Sequence, residues 1–223
     1  MRPTFVSVLN TRSLFSHHTT GKFDRRDVEI LKQMLRRNLR CTFNFVCLSD
    51  CDVPGVDTIS LKKGWPGWWA KIEVFRQDFE GNPVIYLDLD TILVADFADM
   101  LDRISGFTML RDFKRPERYA SGVMAWRSKY TYLFEAFRND PERYMEIYSD
   151  EPKLGDQAFI EDHLGIQPDV LQDLWPGAVE SYKVHVRRRW LRRPGRNARI
   201  VCFHGDPGPK DVNHAWVRRA MGQ

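Results

Sequence analysis

Two aspartates directly follow an apolar segment that has the composition of a buried β-strand. The segment is Val84–Leu87, and the acids are Asp88 and Asp90. Because side chains alternate along a strand, the two carboxylates point to the same face. Carboxylates held this close repel each other unless a cation lies near them, and the hard ions Mn²⁺ and Mg²⁺ prefer oxygen ligands. The pair is a candidate metal site, although two solvated acids that end a strand would give the same pattern.

A second polar cluster follows an apolar segment late in the sequence. Val201–Phe203 is followed by His204 and Gly205, and Lys210 comes five residues later. An imidazole can bind a metal ion, and a lysine can neutralise a phosphate as a point charge. The cluster is not a P-loop, because the lysine is not flanked by the glycine and the hydroxyl residue that a P-loop requires. A single histidine after a strand is more often structural.

Apolar strands and amphipathic helices alternate along the chain. The predicted strands are Thr4–Leu9, Thr42–Leu48, Val56–Leu61, Val84–Leu87, Thr108–Leu110, Val123–Trp126 and Arg199–Phe203. The predicted helices are Asp24–Leu39, Ala70–Phe79, Tyr130–Arg138, Gln157–His163 and Val212–Arg219. This pattern predicts a single α/β domain over residues 1–223, with a mostly parallel central sheet that binds its ligand at the carboxyl ends of the strands.

The composition is that of a globular protein. Of the 223 residues, 43% are hydrophobic and 29% are charged, which excludes a disordered or fibrous chain. No stretch approaches the roughly 20 apolar residues of a transmembrane helix, and Met1–Val6 has no apolar signal segment. The four cysteines fit no common zinc spacing. We therefore expect a cytoplasmic protein with reduced cysteines.

Positive charge is concentrated in one segment. Residues 181–205 contain eight Lys or Arg and no acid, so the rest of the chain has a net charge of −4. Residues 187–199, here called the basic strip, contain Arg187, Arg188, Arg189, Arg192, Arg193, Arg196 and Arg199. This density predicts an extended anionic partner, either DNA, on whose bases Trp190 could stack, or a phosphorylated glycolipid at a membrane surface. The other interpretation is a solvated surface hairpin.

Four short motifs occur in an informative order. They are Leu87–Asp90, Ser121–Met124, Gly155–Gln157 and His204–Lys210. Together they resemble the nucleotide-sugar glycosyltransferases of the GT-A fold, especially the retaining glycogenin-like and galactosyltransferase-like family 8 and its bacterial and phage relatives. The resemblance spans nearly the whole chain. It implies a GT-A domain in which residues 1–94 are the nucleotide-binding half and residues 95–223 the sugar and acceptor half.

The same resemblance implies an activity and the residues that carry it. The activity would be a metal-dependent, retaining hexosyl or pentosyl transfer from a nucleotide-diphosphate sugar, most simply a UDP-sugar. The basic strip, and not the resemblance, indicates an anionic acceptor, such as a modified DNA base or a lipopolysaccharide. The metal ligands for Mn²⁺ or Mg²⁺ would be Asp88, Asp90 and His204. The donor would contact Leu9, Asn10, Thr11, Lys71, Asp88, Ser121, Gly122, Gly205 and Lys210. The catalytic set would be Asp156, Gln157 and Asp112. The chain departs from the family in having no recognisable acceptor signature.

Two further segments have two possible roles each or lie near the site, and two other functions fit parts of the sequence. Trp65–Trp69 is predicted to be an ordered loop that caps the core, or else a stacking wall beside the ligand. His17-His18 is predicted to lie in a solvated loop near the site. One alternative function is a phosphatase of the haloacid-dehalogenase type, whose aspartate pair normally lies near the N-terminus. The other is a non-catalytic nucleic-acid-binding protein that uses Arg187–Arg199.

Overall fold

A seven-stranded sheet runs through the centre of the molecule. The structure is a computed structural model and describes residues 2–11, 23–79, 82–149 and 155–223. The described residues form the strands β1 Thr4–Leu9, β2 Asn44–Ser49, β3 Asp57–Ser60, β4 Val84–Leu87, β5 Thr91–Leu93, β6 Thr108–Arg111, β7 Tyr119–Trp126, β8 Asp169–Val170, β9 Val179–Ser181 and β10 Ile200–Cys202. The α-helices are α1 Arg25–Asn38, α2 Ala98–Leu101, α3 Thr131–Asn139, α4 Pro141–Ser149, α5 Gly155–His163, α6 Leu171–Leu174 and α7 Ala215–Met221. Gly67–Arg76 and Pro209–Asp211 are 3₁₀ helices, and Tyr182–Val186 is a π-helical turn.

The central sheet is mostly parallel, as the alternation of strands and helices predicted. Its order is β3-β2-β1-β4-β7-β6-β8. β1 pairs in parallel with β2 and β4, β2 with β3, and β6 with β8, whereas β7 is antiparallel to both β4 and β6. The carboxyl ends of β1 and β4 therefore lie side by side, which places Asn10 and Asp88 at one edge of the sheet.

A second, three-stranded sheet was not predicted. β10 lies between β5, to which it is antiparallel, and β9, to which it is parallel. In this register Cys202 is opposite Thr91 on one side and Ser181 on the other. Because β5 begins one residue after Asp90 and His204 comes two residues after β10, this sheet brings the two polar clusters of the sequence together.

Each face of the central sheet is covered by its own hydrophobic core. On one face α1 is anchored by a capping box between Asp24 and Asp27, and it buries Val28, Leu31 and Leu35 as predicted. On the other face the 3₁₀ helix Gly67–Arg76 packs with α3 and α5.

Trp65 and Trp69 belong to this second core. They contact the ring of Phe137 at centroid distances of 4.7 and 5.1 Å. The core-capping interpretation of these two rings is therefore confirmed. The loop interpretation is wrong from Gly67 onward, because that residue begins the 3₁₀ helix.

Other elements differ from the prediction in type or in extent. The helix expected over Ala70–Phe79 is the 3₁₀ helix Gly67–Arg76, and the strand that ends at Trp126 begins at Tyr119, so Ser121 and Gly122 lie within β7. The strands β5, β8 and β9 are too short to show periodicity.

The division into two halves at residue 94 stays a prediction, and His17-His18 lies outside the described residues. Across the ranges that the structure describes, no helix is long and apolar enough to cross a bilayer.

Candidate active site

A cavity of about 830 Å³ opens at the carboxyl ends of β1 and β4. Most of the residues that the sequence singled out line it: Leu9, Asn10, Lys71, Asp88, Asp90, Asp112, Ser121, Gly122, Asp156, Gln157, His204 and Gly205. Residues as distant in sequence as Leu9 and Gly205 thus line the same cavity. The fold therefore assembles these side chains around a single space, although their individual roles stay predictions.

A buried ammonium group lies at the centre of the polar network. Nζ of Lys71 is 3.1 Å from Oδ1 of Asp88, 3.0 Å from Oδ2 of Asp156 and 2.9 Å from Oγ of Ser121. The hydroxyl of Ser121 also donates to Oδ2 of Asp156, at 2.6 Å. Burial alone would lower the pKa of Lys71, but the two carboxylates outweigh it and raise that pKa above its usual value. Lys71 is therefore a fixed positive charge that orients two acids.

Asp88 lies between this ammonium group and a tyrosine. Oη of Tyr86 donates to Oδ1 of Asp88 at 2.6 Å, and the side chain of Asp88 remains 32% exposed toward the cavity. Burial is the main reason that the pKa of Asp88 rises to about 6; the charge of Asp90 adds to the rise, while Lys71 and the tyrosine hydrogen bond oppose it. The folded protein thus disfavours the charged form of Asp88 relative to a carboxylate in water.

Asp90 joins the two strand-end clusters. Its Oδ2 accepts a hydrogen bond from the backbone N–H of Gly205 at 3.2 Å, and its carbonyl accepts one from Phe203 at 3.2 Å. The side chain is buried. The expectation that both clusters serve one site is therefore consistent with their contact here.

His204 is fixed in an unusual backbone conformation with its ring in the neutral state. Its φ of +39° lies in the left-handed region that favours glycine. Lys183 donates to its carbonyl at 2.9 Å, and Nε2 of the ring is 2.6 Å from Oγ of Ser181. The ring of Phe113 stacks on the imidazole at 5.6 Å. Burial, helped by the nearby Lys183 and Lys114, lowers the pKa of His204 to about 4.

The predicted metal ligands have the right chemistry but are not gathered around one point. Two carboxylates and a neutral imidazole are a suitable donor set for Mn²⁺ or Mg²⁺. Within residues 2–11, 23–79, 82–149 and 155–223, however, no three His, Cys, Asp or Glu side chains are arranged to hold a metal ion. For His204 the reason is visible, since its Nε2 faces Ser181. The metal site stays a prediction that requires this ring to exchange its partner.

The remaining catalytic candidates contact each other across the cavity. Nε2 of Gln157 donates to Oδ2 of Asp112 at 3.2 Å. The other oxygen of Asp112 accepts from the backbone N–H groups of Lys114 and Arg115, at 2.8 and 2.9 Å. These bonds hold the amide of Gln157 against Asp112, and Asp156 precedes Gln157 on α5. All three residues line the same cavity, and their catalytic roles stay predictions.

Two predicted donor contacts lie outside the cavity wall. Thr11 is hydrogen-bonded to Asp50 through both its backbone N–H (3.0 Å) and its hydroxyl (2.8 Å). Nζ of Lys210 is 2.7 Å from Oδ2 of Asp27, on the side of α1. Lys210 must leave this ion pair to reach a diphosphate, so its role stays a prediction.

Two glycines are required by close packing around the cavity. Gly155 has a φ of +59°, and a Cβ there would overlap the indole of Trp68. At Gly122 a Cβ would lie 3.2 Å from Oδ2 of Asp88. A side chain at either position would therefore press on Trp68 or on Asp88, both of which line the cavity.

Sequence reasoning missed several side chains that position the site. Tyr86 was assigned only to the apolar strand, although its spacing of two residues from Asp88 places both on one face. Ser181 and Lys183 lie in short elements with no sequence signal, and Phe113 follows β6 without a motif. Each of these four side chains contacts a predicted site residue. Ser181 and Lys183 could have been identified only from the three-dimensional pairing of β9 with β10.

Comparison with known proteins identifies the fold. No family model matches the chain, and no curated protein sequence matches it. Solved structures do match. The glycosyltransferase GlyE of Streptococcus pneumoniae TIGR4 superposes with a TM-score of 0.63 at 14% identity, covering 100% of this chain and 60% of GlyE. The chain thus spans about 60% of the length of GlyE.

Two other glycosyltransferase structures agree. LgtC, a galactosyltransferase in complex with donor and acceptor sugar analogs, matches with a TM-score of 0.66 at 12% identity, covering 98% of this chain and 95% of LgtC. The bifunctional glycosyltransferase WbbM matches with a TM-score of 0.62 at 11% identity, covering 100% of this chain and 50% of WbbM. From the sheet order, the site at its carboxyl edge and these superpositions, we conclude that the chain has the GT-A fold of nucleotide-sugar glycosyltransferases.

Proposed function

We propose that the protein is a glycosyltransferase that moves a sugar from a nucleotide-diphosphate sugar, in the first instance a UDP-sugar, to an anionic acceptor. The observation that carries this proposal is the buried network of Lys71, Asp88, Asp156 and Ser121 at the floor of the cavity. Ligands bind at this edge of open α/β sheets, and the fold is one that glycosyltransferases use. The phosphatase alternative has no comparable support.

The donor would lie along the carboxyl ends of β1 and β4. Leu9 and Asn10 line the cavity where a nucleoside would enter, and Asp88 is close enough to the same wall to accept hydrogen bonds from ribose hydroxyls. Lys114 and Arg115 line the cavity as well and add positive charge for a diphosphate. Lys210 would join them by exchanging Asp27 for a phosphate oxygen.

A divalent metal ion, Mn²⁺ or Mg²⁺, is part of the proposal. Asp88, Asp90 and His204 would hold it, because they offer two carboxylates and a neutral imidazole on one cavity wall. When bound, such an ion neutralises charge that develops on the departing diphosphate. Among the described residues that line the cavity, four aspartates outnumber three cationic side chains, and this acidic excess supports the assignment. The aspartates are Asp88, Asp90, Asp112 and Asp156, and the cations are Lys71, Lys114 and Arg115.

We further propose that transfer retains the anomeric configuration. Asp156 accepts hydrogen bonds from both Lys71 and Ser121, and these contacts fix its carboxylate beside the cavity. Its role is then electrostatic, next to a sugar carbon that becomes positively charged. Gln157, held by Asp112, would contact the same carbon from the neighbouring position on α5. The leaving phosphate would accept the proton of the acceptor hydroxyl.

The test is a panel of nucleotide sugars with Mn²⁺, with Mg²⁺ and with EDTA, read by thermal stabilisation and by hydrolysis. A donor at about 100 times its Kd adds about 2.7 kcal/mol of stability. We expect one donor class to raise the melting temperature only with metal, and the D88N/D90N double variant to lose this response. The matched control D57N, an exposed aspartate on β3, should keep it.

The opposite result would identify the alternative function. If no donor stabilises the folded protein while DNA binds it with equal affinity in D88N/D90N, the protein is a nucleic-acid-binding module and not a transferase. Once a donor and an acceptor are found, NMR of the product linkage reports its anomeric configuration. An inverted linkage would exclude the retaining mechanism and require a general base.

A further inference from the structure

The basic strip carries two adjacent, solvent-exposed apolar side chains at its apex. Trp190 is 96% exposed and Leu191 is 69% exposed. The backbone N–H of Arg192 donates to the carbonyl of Arg189 at 3.0 Å, which closes a tight turn with these two residues at its tip. Single exposed apolar residues are ordinary on protein surfaces. An exposed tryptophan and leucine side by side within a dense cluster of arginines are not.

The turn is held rigidly to the body of the protein. Both oxygens of the buried carboxylate of Glu180 bind the guanidinium of Arg189, at 2.6 and 2.7 Å, and Glu180 also accepts from the backbone N–H of Gly195 at 3.2 Å. On the other side of the turn, Nε1 of Trp216 donates to the carbonyl of Arg192 at 2.9 Å. The apex is therefore presented in a fixed orientation, and binding through it loses little conformational entropy.

Most of the positive charge of the strip is not used inside the protein. Arg189 pairs with Glu180, and Arg199 pairs with Asp99. In the part of the chain that the structure describes, no acidic side chain forms an ion pair with the other five arginines: Arg187, Arg188, Arg192, Arg193 and Arg196. These five are exposed and lie within six residues of the apolar apex in sequence. Their charge is available to an external anion.

We propose that this apex binds the surface of an anionic lipid bilayer, with Trp190 and Leu191 inserted at the interface and the arginines on the lipid phosphates. Tryptophan favours the membrane interface, and basic residues beside it are attracted to anionic headgroups. A nucleic acid would explain the arginines and Trp190, because an indole stacks on bases. It would leave Leu191 unexplained, since an aliphatic side chain has no aromatic face to stack.

The position of the strip relative to the cavity connects this surface to the proposed function. The strip begins directly after Tyr182–Val186, and within that turn Lys183 donates to the carbonyl of His204 on the cavity wall. The segment that leads into the strip is thus hydrogen-bonded to a residue that lines the cavity. Resting on the proposed function, we infer that the anionic acceptor is a sugar or phosphate group carried by a membrane lipid.

The experiment measures binding to vesicles of phosphatidylcholine with and without phosphatidylglycerol, by co-sedimentation and with no nucleotide sugar present. We expect binding only to the anionic vesicles. The W190S/L191S variant should bind roughly tenfold more weakly, and the R188Q/R193Q/R196Q variant roughly a hundredfold more weakly. Matched controls are I147S/I166S, two exposed apolar residues elsewhere, and R26Q/R36Q/R143Q, three exposed arginines elsewhere.

A second readout uses the wild-type protein and does not depend on how the variants fold. Of the seven tryptophans, Trp190 alone is fully accessible, so brominated lipids should quench its emission and anionic vesicles should shift that emission to shorter wavelength. Binding without quenching would show that the apex does not insert. Failure to bind anionic vesicles would also overturn the proposal.

A parallel titration with double-stranded DNA separates the two classes of partner. If DNA binds tightly, and W190S/L191S leaves vesicle binding unchanged, the strip is a nucleic-acid surface and the bilayer assignment is wrong. Because vesicle binding needs no donor and donor binding needs no lipid, either proposal can fail while the other survives.

Discussion

Replacing Asp88 by asparagine should stabilise the metal-free protein at neutral pH while abolishing the proposed sugar transfer. The folded protein raises the pKa of Asp88 to about 6 from a usual value of 3.8, mainly through burial. The charged carboxylate is therefore less stable in the folded protein than in the unfolded chain. An asparagine keeps an oxygen that can accept from Tyr86 and Lys71 but carries no charge.

The size and sign of the effect follow from this pKa. A rise from 3.8 to about 6 corresponds to about 3 kcal/mol at neutral pH. The side chain is 32% exposed to the cavity, and solvent screening reduces the expected gain to roughly 1–2 kcal/mol. Between the two pKa values the folded protein binds more protons than the unfolded chain, so the wild type loses stability as the pH rises through this window. D88N has no carboxylate at this position, so it does not lose stability in this pH window.

The assay is urea unfolding of wild type and D88N in EDTA across this pH range. The gain in D88N should be near zero at about pH 4 and complete above about pH 6. D57N, which removes an exposed carboxylate from β3, should unfold like the wild type throughout. If D88N is less stable than the wild type at neutral pH, or if its gain does not change with pH, the electrostatic reasoning is refuted.

Three other substitutions test the packing and charges of the same region. K71M should lower the free energy of unfolding by about 3–5 kcal/mol, because it leaves two carboxylates without their buried counter-charge. The control K63M removes an exposed lysine and should change the free energy of unfolding little. Equal losses in both variants would contradict a stabilising role of Lys71 in the network. G155A should destabilise the protein by roughly 2–4 kcal/mol, because the added Cβ overlaps the indole of Trp68. The control is G165A, where φ is also positive but no atom lies within 4 Å of the added Cβ, and it should lose only about 1 kcal/mol. Urea unfolding compares the two variants. E180Q should destabilise by roughly 1–3 kcal/mol and accelerate hydrogen exchange in residues 187–195, and unchanged exchange would show that Glu180 does not hold the turn.

The central sheet could be predicted because its strands carry strong local signals. Thr4–Leu9 and Val84–Leu87 were predicted with their observed bounds, since each is a nearly continuous apolar segment bounded by polar or turn residues. Because the ends of these segments are clear in the sequence, the carboxyl edge of the sheet could be predicted, together with the position of Asp88 and Asp90 at that edge. The resemblance to a family then identified Asp156 and Gln157, whose position on a short helix has no signal of its own.

What could not be predicted depends on contacts between distant segments. The three residues of β5 and the three of β9 are too short for any periodicity, and they exist because β10 pairs with both. The partner of Lys210 is likewise set by the approach of Pro209–Asp211 to α1, so sequence alone directed it to a phosphate and not to Asp27. The basic strip was visible as charge, but the turn that places Trp190 and Leu191 at its tip was not.

The pairing of β10 with β5 has a consequence during protein synthesis. Asp90 and Gly205 are 115 residues apart in sequence, yet they are hydrogen-bonded across the cavity wall. A ribosome that adds roughly 5–20 residues per second needs on the order of ten seconds to make the chain between them. Throughout that interval the segment with Asp88 and Asp90 has been made and β10, His204 and Gly205 have not, so the cavity can be completed only after the strand before His204 has left the exit tunnel.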